Sequence, residues 1–264
     1  MNFNPENLEI IDFHIHPPVA DAGCDLSKFG FSTSVDETVC ILREAGISRC
    51  CGSVICKKKP EPMTFDHVRQ LNRSALAVRE KYPDFFIPGI VVHPDFPEES
   101  CAELEYMAKE QQVSLVGELL STSLGYDRYA IREMDDIWSL ICELDLAVSM
   151  HIYSIEDTAA LLKRFPGMKL VIAHTSADEE DYTQRLELVR QYPNAALDIS
   201  GRGPLDWGLL RYGINIAGVE KIIFGTDFPL RNPGMIVAGV YAEKLSRAEM
   251  SAIFSGNAKR VLKL

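Results

Sequence analysis

"LEIIDFHIHPP" (residues 8–18) runs from apolar residues into two histidines, His14 and His16, and stops at two prolines. An apolar stretch of this length bounded by prolines reads as a buried strand, and its polar groups sit at the carboxyl end. Seven more short apolar, β-branched stretches follow: 49–56, 85–92, 114–120, 147–152, 169–174, 195–200 and 221–227. Most are continuous rather than alternating, as expected of parallel strands covered on both faces. Longer amphipathic stretches lie between them at 35–46, 66–82, 100–111, 132–144, 156–165 and 178–192. Ser246 and Glu249 have capping-box spacing and open a last helix expected to close at Gly256. Eight strands alternating with helices over 264 residues predict a single-domain α/β protein, a closed (β/α)8 TIM barrel spanning 1–264.

Composition narrows the function. A net charge of −11 argues against a nucleic-acid surface, which needs clustered cations. No apolar run approaches the roughly 20 residues of a membrane span. The N-terminal "MNFNPENLEI" does not read as a signal peptide. Seven cysteines, an odd number, suit a reducing compartment better than a disulfide framework, and Cys50, Cys51 and Cys56 read as buried hydrophobes. A soluble cytoplasmic protein is expected.

In such a barrel the reactive groups gather at the carboxyl ends of the strands. Five of the six histidines obey that rule. His14 and His16 end the first strand, His93 follows the third, His151 ends the fifth and His174 the sixth; His67 lies early in a helix. Glu118 in the fourth strand and Asp227 at the end of the eighth join them. Side chains two apart on a strand share a face, which would send His14 and His16 into the barrel together. Asp227 alone could be a helix cap, but a carboxylate inside an apolar strand, as at Glu118, requires a partner. His14, His16, Glu118, His151, His174 and Asp227 therefore form a candidate metal site. Imidazole and carboxylate suit zinc and comparable divalent ions, manganese included. Such an ion lowers the pKa of water from about 16 towards 7.

These residues resemble the amidohydrolase superfamily, in particular its amidohydrolase-related branch of small barrel hydrolases and decarboxylases. The resemblance runs from "DFHIHPP" through "VGELL", "MHIY", "VIAHTS", "LDISG" and "IIFGTDFPL" to "SGNAKRVL" (255–262). It implies that His14 and His16 hold the more buried metal, that Asp227 is a further ligand and proton carrier, and that His151 and His174 serve a second metal or, for His174, polarise the substrate. Many relatives have a lysine where Glu118 stands; glutamate there looks like that of TatD-like members. One ion or two is left open. A homodimer built on the outer helices is a further implication.

The leading expectation is metal-dependent hydrolysis of a small, anionic ester, lactone or amide, with Asp227 and His174 as the catalytic pair. Arg202 and Arg231, after the seventh and eighth strands, are candidate anion-binding residues, with His93 and Tyr126 as pocket candidates and Lys57–Lys59 as a basic run after the second strand. The alternatives are non-oxidative decarboxylation of an aromatic or unsaturated acid, a TatD-like phosphodiesterase or nuclease, and a non-enzymatic metal or ligand-binding protein. Retained Glu118 and the compact length favour hydrolysis.

Overall fold

The computed structural model describes residues 3–19, 23–56 and 60–264. Eight parallel strands stand in chain order around one sheet: β1 (Ile11–Ile15), β2 (Arg49–Ser53), β3 (Phe86–Ile90), β4 (Leu115–Leu119), β5 (Ala147–His151), β6 (Lys169–Ala173), β7 (Ala195–Asp198) and β8 (Ile222–Ile223). β8 is shorter than the apolar stretch around it. Closure onto β1 is made by the Phe13 amide on the Phe224 carbonyl (2.9 Å), the Asp227 amide on His14 (2.7 Å) and the His16 amide on Phe228 (2.8 Å). The expected (β/α)8 barrel is the fold.

The outer layer contains α1 (Val35–Glu44), α2 (Phe65–Lys81), α3 (Pro97–Lys109), the short α4 (Ser121–Leu124), α5 (Asp135–Glu143), α6 (Ile155–Arg164), α7 (Glu179–Gln191), α8 (Leu209–Ala217) and α9 (Pro233–Ala242). Side-chain caps explain several starts: Ser34 and Glu37 form a capping box at α1, Ser154 caps α6, and Asp178 caps α7. α3 begins three residues earlier than expected because Pro97 supplies a first-turn residue that needs no N–H partner. α8 and α9 were not anticipated. α9 is apolar almost all round, "PGMIVAGVYA", and shows no clear polar face, whereas α8 does turn Arg211, Tyr212 and Asn215 outward but is only nine residues long and has no side-chain cap.

Two hydrophobic cores follow from the strand period. Val116, Val148, Leu170, Leu197 and Ile222 face the helices, while Ile11, Leu115, Ala147, Val171, Ala196 and Ile223 fill the barrel with Ala258, Val261 and Leu262. Those last three come from the chain's end and correct the expectation that the final helix closes at Gly256. α10 (Arg247–Ser251) passes through one π-type stretch, Ala252–Gly256, into α11 (Asn257–Leu262). Gly256 has helical angles, and α11 is kept by the apolar side chains it brings to the barrel.

Cys56 also departs from expectation. Instead of a free buried hydrophobe it is half-buried and forms a disulfide with Cys24. The segments leaving the adjacent strands β1 and β2 emerge on the same rim, which brings two cysteines 32 residues apart to a Cα separation of 4.5 Å. The odd cysteine count therefore says nothing about redox compartment. Cys50 and Cys51 are free and buried, as expected. Lys57–Lys59 lie outside the described residues. No described helix is long and apolar enough to cross a membrane.

Candidate metal centre

Glu118 reaches the barrel interior through an irregularity. Leu115 points in and Val116 out, so strict alternation would turn Glu118 outward. The β4–β5 register shifts between Val116 and Leu119, and a matching shift in β1–β2 falls between Asp12 and Ile15. Such irregularities re-aim side chains, and here they turn Glu118 and His14 towards each other. The shift sets the frame, and within it the two-residue alternation inferred for His14 and His16 holds, with Ile15 between them packed on the helix side.

The result is a nearly equilateral triangle. His14 Nε2 and His16 Nε2 are 3.2 Å apart, and Glu118 Oε2 lies 3.3 Å from the first and 3.2 Å from the second. All three residues are buried. His16 Nδ1 faces the Ser53 carbonyl at 3.1 Å, and a carbonyl can only accept, so Nδ1 carries the hydrogen. His14 Nδ1 faces Asp198 Oδ2 at 2.9 Å, with the same consequence. In the neutral rings both Nε2 atoms then present lone pairs to each other and to a carboxylate oxygen. Three acceptors converging in a dry interior require a positive charge between them. Donors about 2.1 Å from one ion lie roughly 3.0–3.4 Å apart at octahedral to tetrahedral angles, so this set fits a divalent cation.

Electrostatics agree. Burial disfavours the His14 imidazolium, but Glu118 and Asp198 overcome it and hold the His14 pKa well above its usual value. Burial likewise disfavours the Glu118 carboxylate, yet the His14 charge and hydrogen bonds from the histidines keep its pKa well below the usual range. The pocket has a place for one positive charge against that carboxylate, which a proton on His14 or a divalent ion would supply.

The second oxygen of Glu118 serves another pair. Oε1 lies 3.2 Å from His151 Nδ1 and 3.3 Å from His174 Nε2, and these three donors fall within 4.8 Å of one another. Asp227 stands just outside the first triangle, Oδ1 3.7 Å from His16 Nε2 and 4.0 Å from His14 Nε2. His174 and Asp227 both adopt left-handed backbone, φ 74° and 64°, a strain that clusters at working sites. All six residues expected to converge do so.

A cavity of about 650 Å³ opens onto them, lined by His16, Glu118, His151, His174 and Asp227. Arg202 and Arg231 are on its wall, as expected; Arg231 Nε donates to the Gly201 carbonyl at 2.7 Å. His93 and Tyr126 are not. His93 is buried behind the wall, Nε2 on the Leu124 carbonyl (2.9 Å) and Nδ1 accepting from the Asp95 amide (3.1 Å), with the Tyr126 ring packed edge-on against it. His93 does follow β3, as expected, but its ring serves the loop.

Three residues escaped sequence reasoning. Arg185 lines the cavity while donating to the Ala173 and His174 carbonyls; inside an amphipathic helix it gave no signal. Asp198 and Asp12 are fully buried carboxylates within apolar strands, the same signal that singled out Glu118. Asp12 accepts from the Thr226 amide (2.9 Å) and hydroxyl (2.6 Å) and ties β8 to β1; burial pushes its pKa up to about 7.

The sequence signature of the amidohydrolase family matches residues 59–264, leaving His14 and His16 outside the matched range. No curated protein sequence matches the chain. Among solved structures it is similar to 5-carboxyvanillate decarboxylase from Sphingomonas paucimobilis, at TM-score 0.77 and 16% identity over 97% of this chain and 99% of that one. It is similar to 2,6-dihydroxybenzoate decarboxylase from Rhizobium, at TM-score 0.75 and 15% identity over 97% and 99%. Dihydroxybenzoic acid decarboxylase from Polaromonas sp. JS666, solved with manganese and the inhibitor 2-nitroresorcinol, gives TM-score 0.75 and 18% identity over 100% and 98%. At these identities the likeness is one of fold. The family match itself runs through six of the eight strands to the last residue, and the chain belongs to the amidohydrolase family.

Proposed function

We propose that this protein is a metal-dependent hydrolase of a small, anionic ester, lactone or amide. The observation that carries the proposal is the two-sided use of Glu118, Oε2 on His14 and His16 and Oε1 on His151 and His174. His14, His16 and Glu118, with Asp227 beside them, would hold one divalent ion; His151, His174 and the far oxygen of Glu118 would hold another. A bound ion there makes water acidic and polarises a carbonyl. Asp227 takes the proton from the attacking water and returns it to the leaving group, as its carboxylate opens onto both the triangle and the cavity. Arg202 and Arg231 hold the anionic end, and His174 serves as a ligand rather than as the group that polarises the carbonyl.

The test is metal content per chain by elemental analysis, for the parent and for Glu118→Gln. Two ions in the parent, falling to about one in the variant, are expected for a bridging carboxylate. Zinc is the first ion to supply and manganese the second. No ion after reconstitution would overturn the proposal.

Decarboxylation of an aromatic acid is the second reading. It is favoured by the fold neighbours that carry out that reaction and by two arginines able to receive a carboxylate. One ion in both proteins, with carbon dioxide released from hydroxybenzoates and no new acid from lactones, would select it.

A further inference from the structure

Asp198 closes β7, Ser200 lies two residues beyond it, and both are fully buried. Asp198 Oδ2 meets His14 Nδ1 at 2.9 Å. Asp198 Oδ1 accepts from the Ser200 amide (2.8 Å), from the His174 amide (3.3 Å) and, at short range, from the Ser200 hydroxyl. With its own hydrogen spent on Asp198, Ser200 Oγ is left as an acceptor. It receives His174 Nδ1 at 2.8 Å and lies 3.1 Å from His14 Nδ1. The two imidazoles stack at a tilt, centroids 4.8 Å apart, with the Asp198–Ser200 pair at their Nδ1 edges and Glu118 at their Nε2 edges.

We propose that Asp198 and Ser200 form one shared positioning device that fixes the Nδ1–H tautomer of His14 and His174 together. Both Nε2 lone pairs are thereby aimed at opposite oxygens of Glu118. Asp198 touches His14 through the nitrogen facing away from Glu118, so it acts on the ring rather than as a donor beside it. Gly201 completes the device: at φ 74°, a Cβ there would stand 2.8 Å from His174 Nδ1 and drive the ring off Ser200. The metal-binding consequence rests on the function proposed above, whereas the tautomers do not.

Ser200→Ala separates the two histidines, because His174 loses its acceptor while His14 keeps Asp198. Two-site titration with zinc is expected to show the weaker affinity falling about 10- to 100-fold, the range for loss of an orienting partner, with the tighter one nearly unchanged. Equal loss at both sites, or at neither, would overturn the proposal. The second measurement needs no metal: nitrogen-labelled histidine spectra of the parent, stripped of metal, at alkaline pH where the rings are neutral. Nδ1–H on both His14 and His174 is expected, with the resonances assigned through His174→Gln. Nε2–H on either ring would overturn the device. A parent that binds no zinc yet shows both Nδ1–H tautomers would sink the metal reading and leave the positioning pair standing.

Discussion

Gly117 shows how much of the site depends on one missing side chain. Its φ is 100°, and a Cβ there would stand 2.0 Å from the Ser149 carbonyl oxygen of the neighbouring strand. Only glycine lets β4 shift register and turn Glu118 inward. Gly117→Ala should lose about 3 kcal/mol in denaturant unfolding, from backbone strain plus the clash. Its zinc content should fall along with its stability; an alanine variant of parental stability with full metal content would show that β4 does not need its glycine. Glu118 itself was legible because an apolar strand makes a buried carboxylate conspicuous. Asp198 sits in "LDIS" with the same signal and was legible by the same argument. His93 misled for the opposite reason: it occupies a rim position in sequence, but its two ring nitrogens are taken by backbone groups that only the folded loop brings near.

Among the elements, those with an end signal were legible and those without one were not. Ser246–Glu249 is a capping box in the fold as in the sequence, and the acids that opened α1 in the sequence prove to include a second box, Ser34–Glu37, whereas α8 has no side-chain cap and α9 no polar face to mark it. The final helix started where expected and ran on past Gly256, because the packing of Val261 and Leu262 against the barrel interior outweighs the cost of one glycine. Leu262→Ala should therefore cost about 3 kcal/mol, as for any large core truncation, and a loss below about 1 kcal/mol would show that α11 is dispensable. The α10 cap is also a pH probe. Arg211 and the Ser246 groups lower the Glu249 pKa to about 2. A depressed carboxylate stabilises the fold above its ordinary pKa and loses that contribution as pH falls through the folded value. Ser246→Ala should cost about 1 kcal/mol at neutral pH, and the difference from the parent should shrink between roughly pH 4 and 2. A difference that stays constant across that window would mean that the box is not what holds the helix start.

Across the whole molecule, the candidate metal centre and barrel closure are one structure. The two strands farthest apart in the chain, β1 and β8, meet through Asp12 with Thr226 and through the Asp227 amide on the His14 carbonyl. The candidate ligands come from β1, β4, β5, the end of β6 and the segment after β8. An ion held among them bonds to the native barrel and to nothing in the unfolded chain, so its binding free energy adds to folding stability. At an ion concentration 100 times its Kd that contribution is about 2.7 kcal/mol. For a domain of this size each kcal/mol moves Tm by roughly 2–4 °C, so chelation should lower Tm by about 5–10 °C. The same treatment of Glu118→Gln should give a smaller drop, since that variant retains less metal to lose. Lysines and glutamates on the outer helices are indifferent to the ion, so a surface variant such as Lys109→Gln should respond as the parent does. If chelation leaves the parental Tm unchanged while elemental analysis shows that metal has left, the ion does not hold the barrel's first and last strands together. The coupling of site to closure would then fail even though the ligands stand where the fold puts them.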